Sequence, residues 1–116
     1  MKEYKDLYFL YCSRLMSFDH CTKKDVKKHN AAMDELSKLY HIIEKEPDKS
    51  FLEELLICQN DYVRMIVASH CLGMKIYVPL AEKVLTDISL NMEDRFLALN
   101  AAGTLMVWRE QGYLLF

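Results

Sequence analysis

Residues 60–72, NDYVRMIVASHCL, restrict the fold more than any other stretch of the chain. Wound at 3.6 residues per turn, Val63, Ile66, Val67 and Leu72 make a broad apolar face, and Ala68 and Cys71 continue it. Asp61 stands where a helix N-cap is wanted, and the small Ala68 lets a neighbouring helix approach closely. A helix this apolar needs other helices to cover it.

The remaining composition agrees with a helical answer. Only 3 Gly and 2 Pro occur in 116 residues, and 52% of the chain is hydrophobic, which opposes both a turn-rich β fold and disorder. One helical domain over 1–116 is expected, large enough to bury roughly two-thirds of the surface that its unfolded chain exposes. A net charge of −2 offers no general attraction to nucleic acid or an anionic membrane. The N-terminal uncharged run stops at Arg14, too short to span a bilayer, and no small-residue cleavage site follows, so a cytoplasmic protein is expected. Cys12, Cys21, Cys58 and Cys71 form no CxxC pair and are expected as structural thiols. His20-Cys21 and His70-Cys71 are adjacent pairs whose side chains diverge by about 100° on a helix, which opposes zinc. No cofactor is expected.

Six helices follow from spacing and punctuation. The first, near 3–18, carries Tyr4, Leu7, Tyr8, Tyr11, Leu15 and Phe18 on one stripe, with Phe9 and Leu10 off it. Its aromatics are expected to pack rather than to recognise a ligand. Thr22 with Asp25 resembles a capping box opening a second helix that runs to about Lys45. The stripe of this helix is Val26, Asn30, Met33, Leu36, Tyr40 and Ile43, which makes Asn30 a buried amide in need of a partner. The KKDVKKH run at 23–29 is expected as a solvated face, because residues 21–50 hold seven Lys against six acids. Pro47 closes the helix. Ser50 with Glu53 caps a short third helix from Phe51 to Cys58, and Gly73 suits the left-handed position after the fourth. Pro79 fits the first turn of the fifth helix, Asn91 with Asp94 starts the sixth, and Gly112 ends it. Leu114 and Phe116 are expected to fold back on the core.

A faint repeat is present. A shift of 33 residues places Asp61 on Asp94, Val63 on Phe96, Ile66 on Leu99, Ala68 on Ala101 and Leu72 on Leu105. A shift of 29 aligns FLEELL at 51–56 with LAEKVL at 80–85. The order Asp, Val-Arg, Ala, then a small residue and Leu in 60–72 resembles the second helix of a HEAT-type repeat. That resemblance implies an all-α, HEAT-like αα-superhelix of three helix pairs. It also implies that Arg64 pairs with an acid of the next repeat. Asn30, DYVRMIVASHCL, Ala81 and the final AAGTLMVW helix follow the same order in a small bacterial family of HEAT-like proteins. Several members resemble immunity proteins encoded beside contact-dependent toxins, which implies a cognate protein toxin, such as a nuclease, as partner.

Catalytic signatures are not among these motifs: no Gly-rich phosphate loop, Ser-centred elbow or HExxH spacing occurs. Glu53-Glu54 and Glu93-Asp94 are adjacent acids that suit helix N-termini. Residues 51–116 carry three more acids than bases, while 1–50 carry one more base than acids. A partner-binding edge is therefore expected at the starts of the fourth and sixth helices, from Gln59, Asn60, Asp61, Tyr62, Asn91, Glu93 and Asp94. Of these, Tyr62 and Glu93 have no expected capping duty. A monomer is expected when free. The alternatives are a nucleic-acid-binding HEAT protein, which would need a basic concave stripe, and a scaffold subunit.

Overall fold

The computed structural model describes residues 2–16, 23–91, 93–114 and 116. It is all-α: six helices and no strand among the described residues. They are α1 (Lys2–Met16), α2 (Lys23–Glu44), α3 (Phe51–Leu56), α4 (Asp61–Met74), α5 (Val78–Ser89) and α6 (Arg95–Gln111). Leu15, Phe18, Cys21, the Thr22–Asp25 capping pair, Val26 and the lysines at 23–29 fall outside the residues or side chains described. The chain divides into two units, Met1–Phe51 and Leu52–Phe116.

In the first unit α1 packs against α2. Tyr8 and Cys12 are fully buried, and Ala32, Leu36, Leu39, Tyr40 and Ile43 are buried with them. The pair runs antiparallel. The Tyr4 hydroxyl donates to Glu46 Oε1 at 2.9 Å, and its ring stacks on Phe51 with centroids 5.6 Å apart. About two turns further along α1, the Tyr11 hydroxyl donates to Glu35 Oε2. Tyr4, Tyr8 and Tyr11 are thus engaged in packing, while Phe9 and Leu10 are exposed. Asn30 is a correction. It is exposed, as is Met33, because α2 buries the face centred on Leu36 and Leu39 rather than the one through Asn30.

In the second unit α4 packs on α5, α5 on α6, and α4 also touches α6. Burial in α3 and α5 follows the 29-residue shift: Leu52, Leu55 and Leu56 are buried, and so are Ala81, Val84 and Leu85. The Ser50 hydroxyl and amide both turn to Asp48 Oδ1 rather than toward Glu53, and α3 ends at Leu56, two residues short of Cys58. These two hydrogen bonds hold the exposed Asp48 carboxyl below its ordinary value.

Pro79 lies in the first turn of α5, and Gly112 caps α6 in the left-handed region, both at their expected places. Gly73 is not a cap. The helix runs on to Met74, and Lys75 takes the left-handed conformation at φ 61°. The amide of Ile76 reaches the Cys71 carbonyl at 3.0 Å and that of Lys75 the Leu72 carbonyl at 3.1 Å, a Schellman closure made without glycine. Tyr77, at φ 49°, is left-handed as well. Phe116 meets the buried His70 edge to face at 4.8 Å, and Leu114 is half-buried. Trp108 is half-buried, and its indole Nε1–H donates to Glu82 Oε1 at 2.9 Å, tying α6 to α5.

Candidate partner-binding edge

The edge is built by two helix starts. Asn60, in an extended conformation, is the true N-cap of α4, and its Oδ1 accepts from the amides of Tyr62 at 3.0 Å and Val63 at 3.2 Å. Asp61, the expected cap, is instead the first helical residue. Its carboxylate takes Arg64 Nη1 at 2.8 Å, so Arg64 pairs within its own helix rather than with a neighbouring repeat. An acid one turn away on the same surface is the nearest partner available to a guanidinium there.

Asp94 is the N-cap of α6, its Oδ1 accepting from the Leu97 amide at 3.0 Å, so the helix opens at Arg95 rather than from the expected Asn91–Asp94 pair. The equivalent caps are therefore Asn60 and Asp94, which makes the repeat spacing 34 rather than 33. The longer shift superposes Val63 on Leu97, Val67 on Ala101 and Cys71 on Leu105, six buried residues. The shorter one pairs buried Val63 with exposed Phe96.

The two starts meet. The Tyr62 hydroxyl donates to Asp94 Oδ2 at 3.4 Å, so Asp94 uses one oxygen for its own helix and the other for α4. Partial burial, then the charge and hydrogen bond of Asp94, push the Tyr62 phenol above its ordinary value. Tyr62 therefore has a structural duty that its sequence position did not reveal. Asn91 is likewise occupied, its Oδ1 accepting from the Glu93 amide at 2.9 Å. Of the seven residues expected at this edge, five are engaged in local structure, and Gln59 and Glu93 present exposed side chains.

Beside this edge runs an open groove of about 410 Å³ that sequence reasoning missed. Leu56, Ile57, Leu80 and Val84 form its apolar lining, and Gln59, Arg64, Lys83 and Asp87 add polar groups. The signal was split between the end of α3 with the turn that follows it and α5, whose residues look ordinary in isolation. Elsewhere in the unit, burial pushes the Cys71 thiol up to about 12, which makes it inert at neutral pH. Among the described residues no cluster of three or more potential metal ligands forms, and no helix is long and apolar enough to cross a membrane.

Comparisons with protein-family models, with curated proteins and with solved structures find no match.

Proposed function

We propose that this chain is a non-catalytic protein-binding module, an immunity protein that binds a cognate toxin domain and neutralises it by covering its active site or substrate surface. The supporting observation is the edge where α4 and α6 begin. Glu93 and Gln59 project from a base held by the Tyr62–Asp94 bond, in a unit with an excess of acids. Toxins that act on polyanions carry basic clefts, and an acidic edge on rigid helix starts steers such a cleft toward it. The groove between α5 and the turn that follows α3 offers apolar area next to that charge, the mixture a protein interface uses.

Pull-down from the native host, with the bound partner identified, tests the class of partner. With that partner in hand, Gln59→Lys combined with Glu93→Lys cancels the negative charge of the edge without touching a structural hydrogen bond. Binding should weaken at least tenfold at low salt, mainly through association rate, and the difference should shrink as salt rises. Unaltered affinity at low ionic strength would place the interface elsewhere.

A further inference from the structure

The outward face of α6 is a second surface, distinct from the acidic edge. Phe96, Leu99 and Met106 are 51%, 71% and 57% exposed, although each is a large apolar side chain. Phe96, Leu99, Gly103, Met106 and Glu110 follow one another at spacings of three and four, the pattern of a seam between two helices. The opposite stripe, Leu97, Ala101 and Leu105, already serves the core.

Gly103 sits in the middle of this exposed seam. A side-chain carbon built there would meet nothing within 4 Å, so nothing in the chain's own fold requires glycine at that position. Apart from proline, glycine is the poorest helix former, and it is useful inside a helix where another backbone must come close. Charge supplies the identity of the visitor. Arg95 stands at one end of the seam and Glu110 at the other, both exposed, and neither joins an ion pair among the described residues. A copy of the same helix laid antiparallel about a two-fold axis near Ala102 and Gly103 brings each Arg95 level with the Glu110 of its mate. The apolar residues then meet between two such pairs.

We propose that the outward face of α6 is a self-association surface on which a second copy of this chain docks its own α6 antiparallel. This departs from the monomer expected from sequence. The dyad makes the contact isologous and closed, so association stops at two. One helix of 17 residues per copy is a small interface, and the dimer accordingly forms at roughly micromolar concentration.

Sedimentation velocity on the full chain at low salt, from about 1 to 500 μM, reads the proposal directly. The wild type should pass from single to doubled mass within that range. Leu99→Glu should remain single throughout. Gly103→Leu has room within one copy and gains helix propensity, so it should keep or raise its melting temperature when dilute while weakening association at least tenfold. Arg95→Glu and Glu110→Arg should each weaken association, and the two together in one chain should restore it, an outcome that a merely greasy contact would not give. A wild type that stays single at every concentration overturns the proposal, and so does a dimer that the α6 changes leave intact. A single-mass chain whose Leu99→Glu variant loses a different protein partner assigns the face to that partner and overturns it too.

Discussion

The placement of the α4 cap can be tested by comparing two neighbouring alanines. In Asn60→Ala, Oδ1 is lost and the amides of Tyr62 and Val63 lose their acceptor, at 3.0 and 3.2 Å. Removing an Asn cap costs about 1 kcal/mol, and partial exposure lets water satisfy some of the deficit, which keeps the value near that centre. In Asp61→Ala the loss is the ion pair with Arg64, whose side chains are 38% and 22% exposed, together with a favourable charge at a helix start. Pairs of this kind contribute roughly 0.3–0.5 kcal/mol, and salt weakens them. Urea unfolding should therefore rank Asn60→Ala as the costlier change by about 0.5 kcal/mol, equivalent to roughly 2–4 °C in melting temperature. Raising salt to about 1 M should erase most of the Asp61→Ala effect and little of the Asn60→Ala effect. Asn60→Asp should be close to neutral, since it keeps the acceptor. If Asp61→Ala proved the more damaging of the two, α4 would start one residue later and the 34-residue correspondence with α6 would fail.

Three further outcomes follow from the second unit. Ala68 is fully buried, so Ala68→Leu should destabilise by roughly 1–3 kcal/mol through overpacking, and an unchanged urea midpoint would mean that the helix register is wrong. Lys75 holds a left-handed conformation that only glycine adopts without strain, so Lys75→Gly should stabilise by about 0.5–1 kcal/mol after the added freedom of the unfolded chain is deducted. Cys71 keeps its proton in the fold up to about pH 12, whereas an unfolded thiol loses it near 9.0. Because the folded value is the raised one, the contribution is whole below pH 9.0 and is lost as pH climbs toward 12. Stability should thus fall by about 3 kcal/mol on reaching pH ~11, and Cys71→Ala should flatten that slope.

The helices were legible because their punctuation is chemical and local. Pro79 and Gly112 do what any proline and glycine do at helix ends, and the three-and-four spacing of α5 and α6 survives without tertiary help. Choices between near-equivalent neighbours were not legible. Asn60 and Asp61 can both cap, and the decision depends on backbone angles that only the packed unit sets. Apolar residues on α2 spread from Ala32 to Ile43 around more than one face, so the position of α1 decided that Asn30 and Met33 would stay outside. Gly73 lost the cap position because the helix runs two residues further, through Gly73 and Met74. At the candidate edge, the sequence showed that two helix starts would be adjacent. It could not show that Tyr62 would join them, since a hydroxyl reaching 32 positions along the chain leaves no trace in spacing.

Trp108 is the sole tryptophan of the chain, and its indole nitrogen is held by Glu82 across the α5–α6 contact. Its emission is therefore a built-in optical reporter with a defined address. Fluorescence follows the parting of these two helices, whereas far-ultraviolet ellipticity sums over all six. Recording both along one denaturation curve tests whether the polypeptide melts in a single cooperative step, with no label attached. Because the indole hydrogen bond lies away from the acidic edge and its charge variants, the same signal serves as a common ruler for all of them.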